Sequence, residues 1–227
     1  MSTNASETWP HVWTGLKEMA AWFPDGLVLI GGVAVYLHAT QHLDKSLWEV
    51  SHDGDFYLSL ADYADLRDLE EVTQNRRLNK HQVIKNGVDF DIYVEGHNTL
   101  TVPFQEVRQH APLIDGLRTA HLAHLLILKT DAALARAGSG KGDKDLRDIA
   151  KIAVMLPPEQ TAIAAPWVTD ARLTCWRTLA RRADVFQSLM RGNAHQGHEW
   201  RERFTRTLKR LEGYVVHQSP YSGPGLS

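Results

Sequence analysis

Cysteine is nearly absent. Cys175 is the only one in 227 residues, which excludes an intrachain disulfide and any zinc site built on several thiolates. Long apolar runs are missing as well. The longest, Gly26 to Val35, is broken by two glycines and is far shorter than the ~20 residues a helical bilayer crossing needs. The N-terminal stretch lacks a basic patch followed by an apolar one, so no secretory signal is expected. There is no internal repeat. These absences leave a soluble, cytoplasmic protein with no membrane partner as the expectation, and 227 residues suffice for one sizeable domain with an appendage or two small ones.

Nor does the chain carry much net charge: −2. The balance is uneven, however. Residues 1–170 hold 15 Lys/Arg against 23 Asp/Glu, whereas residues 171–210 hold 10 against 3. A basic segment of this kind meets a polyanion or forms a solvated helical face.

The pattern of elements is mixed. Trp9, Trp13, Leu16 and Met19 recur at helical spacing, so the chain is expected to open with a helix that buries its tryptophans. After the Pro24-Asp25-Gly26 turn, Leu27–Ile30 reads as a short buried strand, and a helix can begin at Gly31-Gly32. Asp55–Leu60 reads as a second strand, followed by a helix through Ala61, Ala64, Leu66 and Leu69. Residues 81–96 read as a hairpin about Asn86-Gly87, because both residues tolerate positive φ. In its second strand Val88, Phe90, Ile92 and Val94 alternate with Asp89, Asp91 and Tyr93, giving one apolar and one acidic face. From about residue 119 the periodicity is helical. Residues 137–144 read as a basic loop between two helices, and residues 157–158 as a Pro-Pro break. One later helix would carry Leu173, Trp176, Leu179, Ala183 and Phe186. Another would bury Trp200, Phe204, Leu208 and Leu211 and turn Arg201, Arg203, Arg206, Lys209 and Arg210 outward. The expected layout is α+β: a mixed sheet with helices over 1–118, a helical part over 119–214 and a flexible tail over 215–227.

Chemistry concentrates in the first part. Gly31 and Gly32 lie between a buried strand and a helix, where bare N–H groups can approach a phosphate. Asp53 and Asp55, one residue apart, leave the same face of a strand. Asp89 or Asp91 offers a third carboxylate from a neighbouring strand. Such a set can hold two Mg²⁺ ions, and its hard oxygen donors also accept Mn²⁺. The alternative for these acids is solvated carboxylates on an outer strand. The alternative for Gly31 and Gly32 is a pair of packing glycines where strand meets helix.

Four motifs in this order carry a family resemblance: Leu29–His38 (LIGGVAVYLH), Ser51–Phe56 (SHDGDF), Leu125–Arg136 (LLILKTDAALAR) and Lys144–Ile152 (KDLRDIAKI). The chain resembles the nucleotidyltransferase superfamily with the DNA polymerase β-like fold, and within it the AbiEii-type enzymes, many of them toxins of toxin–antitoxin pairs. The resemblance implies transfer of an NMP from an NTP to an acceptor hydroxyl with release of pyrophosphate. By that resemblance Asp53, Asp55 and Asp91 hold the metal, with Asp89 second to Asp91; Gly31, Gly32 and Lys129 hold the triphosphate; and Asp145 orients nucleotide or lysine. It also implies tRNA as acceptor, reached through basic residues 171–210, and a cognate antitoxin as partner. Gly54 departs from the pattern, standing where the family usually has an apolar residue, and a glycine weakens a strand.

Two other readings share the fold: transfer to an antibiotic or a protein, and nucleotide or partner binding without catalysis. Residues 137–144 do not make a Walker A loop, because Ala135 stands at its first glycine and Gly142 follows Lys141. His195 and His198, three apart with a glycine between, read as surface histidines in a loop.

Overall fold

The computed structural model describes residues 5–42, 44–75 and 79–216. Helix α1 (Ala5–Trp22) leads into strand β1 (Leu27–Ile30) and helix α2 (Gly31–Thr40). Strand β2 (Gly54–Leu58), helix α3 (Leu60–Leu69) and strands β3 (Thr73–Asn75), β4 (Lys80–Lys85) and β5 (Val88–Val94) follow. Helix α4 (Phe104–His110) and a small ribbon of β6 (Leu113–Ile114) and β7 (Leu117–Arg118) then lead to helices α5 (Leu122–Ala135) and α6 (Gly140–Met155). A 3₁₀ helix over Pro158–Trp167 precedes α7 (Asp170–Ala180), α8 (Ala183–Leu189) and α9 (Ala194–Val216).

The fold is α+β, a five-stranded mixed sheet flanked by helices, with strand order β1-β2-β5-β4-β3. Strands β2 and β5 run parallel in its middle and every other pairing is antiparallel. The hairpin turns at Asn86 (φ 55) and Gly87 (φ 73) as expected, a turn whose twist matches that of the flanking strands. Phe56, Phe90 and Ile92 pack on the sheet face that α1 covers, and the Phe56 and Phe90 rings stack at 5.6 Å. Helices α2 and α4 lie on the other face, Phe104 meeting Tyr57 edge-on. Ala120 N–H donates to the Leu29 carbonyl at 2.8 Å, so the chain enters α5 from alongside β1. One buried cluster runs from Val12 through the sheet to Leu211.

Several expectations change. In α1 it is Val12, Leu16 and Met19 that are fully buried, while Trp9 and Trp13 are half-buried. In α3 only Leu66 is fully buried, Ala61, Ala64 and Leu69 being exposed. Helix α6 begins at Gly140, with Ser139 Oγ accepting the Gly142 N–H at 3.1 Å, so the basic stretch is mostly first-turn helix rather than loop. The helix expected through Leu173 and Phe186 is two, broken at residues 181–182. Residues 215 and 216 belong to α9, and the rest of the expected tail lies outside the described residues.

Gly54 has a packing reason. A Cβ there would stand 2.5 Å from Phe90 Cδ1 and 3.3 Å from Leu16 Cδ2. The Phe90 ring occupies the volume a strand side chain would otherwise fill, and Gly15 of α1 faces the same ring, its Cβ position 2.6 Å from Phe90 Cζ. Gly54→Ala is therefore expected to cost about 1–3 kcal/mol by overpacking. Combining it with Phe90→Leu should recover part of that loss; additive losses in urea unfolding would refute the exchange of volume.

Candidate active site

Register brings the acidic residues together. Asp55 of β2 stands opposite Asp91 of β5 in the parallel pair, and both leave the sheet face away from α1, because Gly54 and Phe90 occupy the other. Asp53 lies just before β2, half-buried, and Ser51 Oγ donates to its Oδ1 at 2.9 Å. Asp91 is buried, accepts from Gln82 Nε2 at 2.9 Å and forms an ion pair with Lys80. Asp89 shares the face but is exposed and pairs with Ile84 in register. It is Asp91 that sits across from Asp55.

The electrostatics of this cluster are unfavourable for its carboxylates alone. Burial, with the charges of Asp53 and Asp91 alongside, pushes the Asp55 carboxyl up to about 7, although Lys129 and Lys80 partly offset the effect. Burial together with Asp55 and Asp91 also holds the Tyr93 phenol above its ordinary value. Carboxyl oxygens gathered in this way are the donor set of a hard divalent cation.

The glycines complete the wall. Gly31 opens α2 with φ +67, a left-handed conformation, and a methyl there would overlap the Asp55 carboxylate. Only glycine lets the helix start this close to that acid. Ile30, the residue before α2, supplies no side-chain cap, and uncapped N–H groups at a helix start favour a bound anion. A Cβ at Gly32 would stand 2.9 Å from Ser51 Oγ and 3.6 Å from Lys144 Nζ.

Lys129 occupies a different setting from a free phosphate ligand. It is buried, its Nζ lying 3.3 Å from Asp145 Oδ1 and 2.8 Å from Asp148 Oδ2. Burial alone would push this ammonium down, but Asp148 and Asp145 outweigh it and hold it above its ordinary value. Asp145 also faces Arg136 at 2.7 Å, and Asp148 faces Lys151 at 3.9 Å. Asp148 is thus partnered by two lysines among the described residues. Lys144, adjacent in sequence to Asp145, makes no ion pair or hydrogen bond among the described residues and stands beside the α2 N-terminus. Ser51, Lys80, Gln82, Tyr93 and Lys144 were not singled out from the sequence. Lys80 and Gln82 could have been, since they alternate on the strand paired with Asp91.

The remaining candidates disperse. A cavity of about 630 Å³ bordered by Tyr63, Arg67, His81 and Asn98 carries none of the carboxylates. His195 and His198 are exposed on α9, in a helix rather than a loop. In the basic segment, Trp176 and Trp200 are core residues, so neither offers a face for stacking on a base. Arg172 is buried on Asp131 at 2.8 Å. Arg206, Lys209 and Arg210 are exposed along one stretch of α9. No described helix is long and apolar enough to cross a membrane.

No protein-family model matches the chain, and no curated protein does. Solved structures are similar to it. An antigenic nucleotidyltransferase-like protein from Paracoccidioides brasiliensis is 13% identical, covering 81% of this chain and 94% of its own, with a TM-score of 0.49. The Megavirus polyadenylate synthase is 16% identical over 67% of this chain and 32% of its own, with a TM-score of 0.48. The antibiotic-resistance factor ANT(2'')-Ia is 12% identical over 95% of this chain and 100% of its own, with a TM-score of 0.43. Backbone likeness at this level carries no side-chain chemistry, which comes from this chain's own residues.

Proposed function

We propose that the chain is a Mg²⁺-dependent nucleotidyltransferase that moves an NMP from an NTP to an acceptor hydroxyl. The observation that carries this is Asp55, paired in register with Asp91 and charge-coupled to Asp53, lying against Gly31 at the start of α2, which supports a cation site beside an anion site. Asp53, Asp55 and Asp91 would hold two Mg²⁺ ions, Mn²⁺ serving in their place, and the metal would supply charge neutralisation at the phosphates. The N–H groups that open α2 bind the outer phosphates, and Lys144 adds a positive charge beside them. Asp91, oriented by Gln82 and Lys80, receives the proton of the attacking hydroxyl. The new bond joins the acceptor oxygen to the α-phosphorus; the bond from that phosphorus to the bridging oxygen breaks, and pyrophosphate leaves. Lys129 and Asp145 hold α5 and α6 together behind this wall.

The acceptor we propose is RNA, with tRNA as the instance implied by the AbiEii resemblance and growth inhibition under a cognate antitoxin as its consequence. Exposed Arg206, Lys209 and Arg210 support a polyanionic acceptor; a small polycationic antibiotic would call for acids there.

The test is to incubate the protein with Mg²⁺, each α-labelled NTP and total tRNA, beside Asp53→Ala/Asp55→Ala. Label on RNA from the wild type alone is the expected result. Label on protein instead would move the acceptor, and label anywhere from the double variant would refute the site. Arg206→Glu/Lys209→Glu/Arg210→Glu is expected to weaken RNA use at least tenfold, about 1.4 kcal/mol, and to flatten its dependence on salt.

A further inference from the structure

A second cluster of ligating side chains lies away from the carboxylates. Glu106 and His110 are one turn apart on α4, and His124 stands on the first turn of α5; one ligand atom from each lies within 4.8 Å of the others. His124 has no exposed surface, and neither of its ring nitrogens has a hydrogen-bond partner among the described residues. A buried imidazole left so is costly, and a native structure seldom keeps such a group without a water or an ion to satisfy it.

The surroundings favour an ion. His110 Nδ1 lies 3.1 Å from the Glu106 carbonyl, which makes that nitrogen the N–H donor and leaves the Nε2 lone pair free, the tautomer arrangement metal-bound histidines show. The His110 and His124 rings meet edge-on at 5.3 Å. Trp167 closes the other side of His124, also at 5.3 Å. His121 does not join, because both its nitrogens are engaged: Nδ1 accepts the Ala123 N–H at 3.1 Å and Nε2 reaches Gln160 Oε1 at 2.8 Å.

We infer that Glu106, His110 and His124 form a binding site for one zinc-class divalent cation, fastening α4 to α5. Two imidazoles and a carboxylate are borderline donors that select Zn²⁺ over Mg²⁺, so this site is chemically distinct from the all-carboxylate cluster. Tetrahedral bonds of about 2.0–2.1 Å place ligand atoms roughly 3.3 Å apart, which rotation of the half-buried Glu106 and His110 side chains supplies. Three protein ligands leave one position for water. His124 and Lys129 are five residues apart on α5, roughly 140° around the helix, so the two sites use different faces of it. The inference stands whether or not the chain transfers nucleotides.

The experiment uses the full chain, stripped of metal, in an Asp53→Asn/Asp55→Asn background with excess Mg²⁺, so that the carboxylate cluster does not contribute. Zn²⁺ is titrated calorimetrically, and Co²⁺ reports coordination by its visible spectrum. We expect one equivalent of Zn²⁺, a four-coordinate Co²⁺ spectrum and a rise in melting temperature. His110→Ala should weaken Zn²⁺ binding by at least about 100-fold, beyond the range of an outer-shell loss, and Glu106→Gln should weaken it too. Both residues are half-buried, so both variants should fold. Failure of the parent to bind Zn²⁺, binding unchanged in both variants, or binding lost only with His195→Ala/His198→Ala would overturn the site.

Discussion

Asp55→Asn is expected to abolish nucleotidyl transfer, by about 10³-fold or more, roughly 4 kcal/mol of transition-state stabilisation, and at the same time to raise the melting temperature of the metal-free protein at pH 8. The two effects have one origin. Asp55 is crowded by Asp53 and Asp91, and burial with those charges lifts its carboxyl from 3.8 to about 7. In the unfolded chain it ionises near 3.8. Between those values the folded state binds the extra proton, so the stability this group contributes is complete below about pH 4 and is lost as pH rises through 7. At pH 8 the carboxylate is ionised at a cost on the order of 2–4 kcal/mol, after allowance for its partial exposure and for salt. An amide of the same shape fits against Gly31 and carries no charge.

The expected gain is therefore roughly 4–16 °C at pH 8, shrinking as pH falls toward 4. Mg²⁺ should stabilise the wild type at pH 8 and do little for the variant. A series of thermal melts across pH with and without Mg²⁺ checks all three statements. Equal melting temperatures at every pH would mean that Asp55 is not under this pressure. Retained activity would remove it from the reaction.

Much of this arrangement is readable from residue order, for a physical reason. A strand repeats every two residues, so Asp89 and Asp91 announce their shared face directly, and the Asn86-Gly87 turn makes β4 and β5 neighbours. Asp53 instead falls in a bend just before β2, so the strand period does not place it beside Asp55. The choice of Asp91 over Asp89 depends on register between β2 and β5, whose strands are separated by α3, β3 and β4. Gly54 reads as a weakness until Phe90 is seen occupying its space, and that contact crosses strands. The break between α7 and α8 falls at Arg181-Arg182, with no glycine or proline to mark it. Periodicity therefore ran Leu173 to Phe186 together. Trp176 and Trp200 fit either a core or a nucleic-acid face by sequence, and only packing decides for the core. Lysines pose the sharpest case. Lys129 and Lys144 are both cations near acidic motifs, and which one faces the glycines depends on how α5 and α6 pack.

Lys129→Met tests that distinction. The ammonium is buried between Asp145 and Asp148, and Met keeps much of its volume while removing the charge. Asp145 retains Arg136, but among the described residues Asp148 keeps only Lys151, at 3.9 Å. Removing one partner of a buried ion pair leaves an uncompensated charge and typically costs about 3–5 kcal/mol, so the variant should unfold in distinctly less urea than the wild type. Lys129→Met/Asp148→Asn, with one buried charge neutralised, should recover a substantial part of that loss. Lys144→Met, by contrast, removes a half-buried cation that makes no close ion pair among the described residues and should leave stability within about 0.5 kcal/mol while raising the KM for NTP. If Lys129→Met is stable and raises that KM instead, the phosphate ligand is Lys129, and its two aspartates serve to aim it. If both variants are stable with unchanged KM, the anion is held by the N–H groups of α2 alone.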